Sequence, residues 1–501
     1  TGGGTLATAP GGTILLPNGA TVAQIEALET TNQGIIAING PFSDTGQTLQ
    51  VTNGTVEFQN ILTNTGSILV DAGTLKIDNG LSGNEQISLI NGGVLDAADN
   101  GTVLEIGAGN TFTNGGILEA SGGGSLRIDG GTLANQDGTL FANGGNINLS
   151  GGLVVTDGTL ASANGGVIQS LSGNSVTLDP VALPSLVITG LYSVDNNSTT
   201  VLVGPVSNQG IIADDGSLQI GDAAGDGAAL TNQAGGLIEL QQNNVNITEA
   251  AAGTNTFIND GTLAQVGGGN DYVEMPLVNN GLVTSDNGFL ELQGGLLGGS
   301  ITDTGGVVAL VGTYAVAADT TDSVTFGGAY LGWENDGPAV LSGPGTLASS
   351  GSVNVQDYFG RILVDLTNGI TWENAGVVAS AGTIIAGTGT LDSATIVNQA
   401  GATFALTTGD SNIYTQAGGT YDFVNHGTLE QIGGGNNVIA MALTNTALVS
   451  ADNGDLYLRG PVANSGTLQS DGGFLELADG GTLGGTIQSL GGVVAVTGTY
   501  A

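Results

Sequence analysis

The chain contains no cysteine in 501 residues, so neither disulfides nor thiolate metal sites hold it together. It carries only four Lys plus Arg against 44 Asp plus Glu, for a formal charge of −40. That imbalance excludes ordinary binding to nucleic acid or to anionic membrane surfaces. Cations, neutral or sugar partners, and other copies of the chain remain. Proline occurs 10 times and aromatics make up 4%, which excludes collagen and Pro/Gly-rich disordered segments. No long hydrophobic run is present. The longest, around 305–318, is broken by glycine and too short to span a bilayer, so no transmembrane segment is expected in this chain. No basic and apolar leader precedes Thr1, and the chain reads as a mature or excised form.

Glycine is abundant: 91 residues, about 18% against a usual share of about 7%. Apolar residues still reach 40% and mean hydropathy is +0.23, too apolar for a disordered acidic tail. The glycines recur in a unit, Asn-x-Gly followed by aliphatics, with Asn at 64, 114, 208, 259, 279, 374, 425 and 464. Weaker copies begin at Asn232, Asn398 and Asn445. From Asn208 the steps are 24, 27 and 20 residues, to Asn232, Asn259 and Asn279; from Asn374 they are again 24, 27 and 20. The constant offset of 166 between the two series indicates an internal duplication. A second marker, Gly-x-Tyr, begins at Gly190, Gly312 and Gly498, and between its last two copies the offset grows to 186. One unit of about 20 residues, roughly 445–461, has therefore been gained. A fold that accepts an extra unit without disturbing its flanks is a stack in which each unit touches only its neighbours.

Within each unit the hydrophobic period is 2. In Thr74-Leu75-Lys76-Ile77, Ser125-Leu126-Arg127-Ile128 and Phe474-Leu475-Glu476-Leu477 the second and fourth residues are aliphatic while the third varies. Such segments are short strands with the aliphatics inward and the variable residue in solvent. Glycine every few residues opposes helix; the exception is 21–30, which predicts one short helix. The expected fold is all-β: a right-handed parallel β-helix, or β-solenoid, of about 20–25 coils of roughly 19–27 residues, with corner Asn and Thr stacking into hydrogen-bonded ladders. The expected divisions are a capping or irregular region at 1–50, solenoid repeats at 51–192 and 193–315, an irregular aromatic-rich segment at 316–373, and repeats at 374–501. The last of these duplicates 208–315 with one extra coil.

Units such as Asn-Thr-Gly-Ser-Ile-Leu-Val-Asp-Ala-Gly-Thr-Leu-Lys-Ile (64–77) and Asn-Gly-Gly-Ile-Leu-Glu-Ala-Ser-Gly-Gly-Gly-Ser-Leu-Arg-Ile (114–128) resemble the repeats of large bacterial surface proteins. These are autotransporter passengers and exported adhesins of the filamentous-haemagglutinin type. The resemblance covers most of the chain, least at 1–50 and 316–373. It implies secretion and an extracellular structural or adhesive role, and it transfers no functional residue.

Chemistry-bearing residues are sparse. His426, the only histidine, sits where Asp260 stands 166 residues earlier, which marks an exposed corner. Lys76, Arg127 and Arg459 lie on or beside the outward strand pattern; Arg361 lies outside it. No catalytic residue and no bound cofactor is expected. Calcium is the candidate ion, at Asp214 with Asp215, Asp222 with Asp226, or Asp271 with Glu274. The segment 316–373 holds Phe326, Tyr330, Trp333, Tyr358, Phe359 and Trp372. Tyr330, Trp333 and Trp372 are the candidate glycan contacts, the competing reading being that these rings fill the core. The sequence points to a non-enzymatic extracellular stalk or filament subunit that contacts copies of itself, end to end or side by side. The alternative is a polysaccharide-active or carbohydrate-binding β-helix.

Overall fold

A computed structural model describes residues 6–78, 87–107, 111–181, 186–222, 227–250, 254–316, 324–331, 338–355, 362–387, 392–409 and 411–501. The chain is a β-solenoid of parallel stacked coils with about 19 turns, with one helix among the described residues. That is slightly fewer turns than the 20–25 expected. Steps of 27 and 24 residues between equivalent positions recur beside the shorter ones of 19 and 20, and longer coils mean fewer turns. Contacts divide the chain into two compact units, Thr1–Phe257 and Ile258–Ala501.

In the first unit the strands from Ile35–Ile38 onward pair in parallel with the third strand on, so a coil has three faces. One row runs Val56, Leu75, Leu104, Leu126, Ile147 and Ile168, in register from coil to coil. Every one of these side chains is at most 1% exposed. Alternation fixes this: in Thr74–Ile77, Leu75 and Ile77 are buried while Thr74 and Lys76 are partly exposed. The Asn-x-Gly motif explains itself in the stack. The Asn64 side-chain amide donates to Asn91 Oδ1 at 2.6 Å, Asn91 to Asn114 at 2.7 Å, and Asn114 to Asn135 at 2.7 Å. The motif's glycine is there for close approach, since a Cβ on Gly116 would fall on the carbonyl oxygen of Gly93. The expected helix is Val22–Glu29, opened by a capping box of Thr21 and Gln24 and packed against the strand Thr48–Val51. Its Glu29 accepts from the backbone amides of Thr52 and Asn53 at 3.0 and 2.9 Å.

The second unit keeps the three-face pairing over most of its length, with a longer ladder. Asn374 donates to Asn398, Asn398 to Asn425, Asn425 to Asn445 and Asn445 to Asn464, all at 2.7–2.9 Å. The Asn464 amide closes the series on the Gly484 carbonyl at 2.6 Å. Across 289–355 the corner between two faces is lost. Phe289–Leu297 is one strand that pairs first with Asn270–Glu274 and then with Leu277–Asn279. Its register against the next coil slips between Gln293 and Gly295, where Gly294 and Gly295 adopt φ of 80° and 128°, a bulge open to glycine. The described part of 316–373 is built of parallel strands, with register shifts between Phe326 and Gly328 and between Ile362 and Val364. Its strands Val324–Leu331, Ala339–Ser342, Thr346–Val355, Ile362–Thr367 and Ile370–Asn374 continue the parallel stack.

The Tyr of the second marker is a core residue in its first two copies and partly exposed in the third, Tyr500. Tyr192 and Tyr314 are at most 1% exposed, bonded to Thr200 Oγ1 at 2.8 Å and to the Leu292 carbonyl at 2.5 Å. Burial holds both phenols well above the ordinary tyrosine range. Among the described residues no helix is long and apolar enough to cross a membrane.

Candidate functional site

The expected glycan platform does not form as a set. Trp372 is fully buried. Its indole N–H donates to Ser349 Oγ at 3.1 Å, and its ring centroid lies 5.9 Å from that of Phe404, which in turn lies 5.2 Å from Phe423. This corrects the expectation for Trp372: it fills the core and meets no sugar. The reason is strand parity. Trp372 stands two residues before the ladder residue Asn374, the inward place that Val206 holds two residues before Asn208. Trp333 lies outside the described residues, and Tyr330 is described only as part of the strand Val324–Leu331.

His426 is exposed and its Nδ1 lies 2.7 Å from Thr446 Oγ1, a corner position. The described bases are all ion-paired on the surface. Lys76 Nζ sits 2.7 Å from Glu105 on the next coil, and that hydrogen bond raises the lysine above its usual value. Arg127 lies 3.4 Å from Asp129, and Arg459 lies 3.2 Å from Glu476 and 5.1 Å from the centre of the Tyr457 ring. Arg361 falls outside the described residues. Beside the first pair, a cavity of about 140 Å³ is lined by Asp78, Glu105, Arg127 and Asp129.

Nor do the candidate calcium pairs whose two members are both described converge. Asp214 is buried and accepts from the Gly216 amide at 3.0 Å, whereas Asp215 is partly exposed, its carboxyl raised by burial and by the charge of Asp195. Asp271 stands in the buried row opposite Leu290 while Glu274 is exposed. Asp226 lies outside the described residues. Among the described residues no group of three or more His, Cys, Asp or Glu could hold a metal ion. One carboxylate pair shares an outward row on successive coils, Asp96 and Glu119. Burial pushes Asp96 above the ordinary carboxylate range, the Ser121 hydroxyl pulls it back in part, and Glu119 adds to the rise. Both acids are occupied: Asp96 by the Ser121 amide and hydroxyl at 3.2 and 2.8 Å, Glu119 by Asn143 at 2.9 Å.

A site the sequence reading missed lies at the corner between the strands Ile413–Thr415 and Thr420–Asn425. Residues 415–422 enclose, with Ala440, Ala442 and Pro461 of later coils, a trough of about 370 Å³. Tyr421 of the lining is buried, and a Cβ on Gly387 or Gly419 would strike its hydroxyl. Just before the trough, at an outward place next to the buried Ile413, Tyr414 is 42% exposed. The signal for this site was present in the duplication. At the offset of 166, Tyr414, Thr415, Tyr421, Asp422 and Ala440 replace Thr248, Glu249, Asn255, Thr256 and Glu274, while Ile413, Phe423 and Met441 keep Ile247, Phe257 and Met275.

No protein family, curated protein or solved structure matches the chain.

Proposed function

We propose that the chain is a non-enzymatic extracellular solenoid, the stalk of a bacterial surface adhesin or the subunit of a self-assembling surface filament. The observation that supports this reading most is where the polar chemistry goes. Buried polar side chains are drawn into coil-to-coil ladders, as in the series from Asn374 to Asn464, and the described bases into surface ion pairs. Such a chain stabilises its own stacking and leaves a strongly acidic exterior suited to solubility and cation-dependent association. The missing cysteine and the acidic composition agree with a surface protein of this kind.

Electron microscopy of the purified chain with and without calcium, together with an assay for cleavage of neutral and acidic polysaccharides, tests the reading. Assemblies without product release are the expected result. Dispersed particles in both conditions would remove the filament form, and released oligosaccharide would overturn the non-enzymatic reading.

A further inference from the structure

We propose that the trough at 415–422 is a binding site for neutral saccharide units; the assignment rests on the adhesive form of the reading above and names its ligand class. The volume of about 370 Å³ falls within the range of small-ligand sites, about 300–1,000 Å³. Its lining mixes hydrogen-bonding groups with apolar ones in the way a sugar requires. Thr415, Thr420 and Gln416 bring groups that both donate and accept, and Asp422 brings a carboxylate that accepts from paired hydroxyls. Opposite them, the floor of Ala440, Ala442 and Pro461 is apolar and suits the C–H face of a pyranose ring. Tyr421 adds the one aromatic side chain of the lining.

The same lining excludes other classes. No Lys, Arg or His borders the trough, so a phosphate or an acidic sugar would enter without a counter-charge, on a chain that already carries −40. One carboxylate is too few for calcium, which takes six to eight oxygens.

The internal duplicate differs at this corner. The first copy has the same coil frame but Thr248 for Tyr414, Glu249 for Thr415 and Glu274 for Ala440. Glu249 and Glu274 are both exposed, and Glu249 accepts from Asn255 at 3.3 Å. Two carboxylates thus stand where the second copy has a hydroxyl and a methyl, and Asn255 stands in place of the lining Tyr421. The second copy differs from its sister in being less charged and more aromatic at this one corner.

Calorimetric titration of the whole chain with neutral gluco-, manno- and galacto-oligosaccharides, and with an oligogalacturonate as the acidic probe, tests the proposal. At least one neutral probe should bind, and the acidic one should not. Asp422→Thr and Ala440→Glu should each weaken binding about tenfold or more with an unchanged unfolding midpoint, because the first copy folds with those residues, Thr256 and Glu274, at the same coil positions. Absence of binding by every neutral probe at millimolar concentration would overturn the site, as would preference for the acidic probe, or binding indifferent to both variants. Each of those results leaves the stalk or filament reading standing. Cleavage of a bound probe that both variants suppress would instead support the site and overturn the non-enzymatic reading.

Discussion

The stretches 206–279 and 372–445 have the same frame and fill it differently. Asn208, Asn232, Asn259 and Asn279 in the first match Asn374, Asn398, Asn425 and Asn445 in the second, and all eight are fully buried. Yet Val206 and Ile238 in the first correspond to Trp372 and Phe404 in the second, all four at most 2% exposed. The ladder positions cannot drift, because each amide must meet the next at one strand spacing. Core volume can drift, because a coil packs only on its immediate neighbours and the cross-section adjusts locally. A stack of this kind is specified by its polar corners and tuned by its apolar interior.

The most damaging way to break the comparison is to empty the larger core. Trp372→Ala should cost about 3–5 kcal/mol, read as a lowered urea midpoint. It removes the ring that packs on Phe404 and strips Ser349 of the indole donor. Trp372→Val installs the first copy's residue but keeps Phe404 and Phe423 around it, so most of the cavity persists. A Val variant as stable as the parent would mean that the coil closes down around small residues without cost.

Next in size is the frame itself. Asn398 accepts from Asn374 at 2.9 Å and donates to Asn425 Oδ1 at 2.8 Å and to the Thr428 carbonyl at 2.9 Å. Asn398→Ala removes these bonds inside the protein and leaves two neighbouring amides short of a partner, at about 2–3 kcal/mol. Amide hydrogen exchange should show the loss of protection concentrated in the coils around 374, 398 and 425. Equal loss throughout the unit would argue that the ladder acts globally and not neighbour to neighbour.

Much of this fold was legible in the linear sequence because it is periodic. The Leu75/Ile77 alternation, the Asn spacing and the helix at 21–30 all follow from local rules, and the structure has them. The site was legible only through differences between the duplicated copies, for two physical reasons. Trp372 was read by residue type, as an aromatic able to stack on sugar, although its parity relative to Asn374 sends it inward. The corner at 415–422 is built from Thr, Gln, Gly, Ala, Tyr and Asp in an order that carries no motif; only the stacking of Ala440 and Pro461 on them makes a trough. A third case turned on one residue. Gln293-Gly294-Gly295 lies within the long strand Phe289–Leu297, whereas its counterpart has one residue more, Asp479, and separates Phe474–Leu477 from Gly481–Leu483. Gly-Gly alone does not distinguish a bulge from a corner.

The smallest expected effect sharpens the comparison on the outer face. Tyr272 with Phe289 and Tyr457 with Phe474 are the same outward aromatic pair in two coils, with ring centres 6.4 and 5.9 Å apart. Beside them the first has Glu274 and Glu291, and the second has Arg459 and Glu476 joined at 3.2 Å. Arg459→Glu recreates the first arrangement and replaces an attraction with a repulsion. The Arg459 side chain is 49% exposed, so water and salt screen most of that change, and the cost should stay within about 1 kcal/mol. The difference between parent and variant should shrink as ionic strength rises, since the Debye length falls to about 3 Å at 1 M salt. A larger, salt-independent loss would mean that the guanidinium acts by packing over the Tyr457 ring, 5.1 Å from its centre, and Arg459→Met, which retains an apolar side chain without the charge, would then recover it.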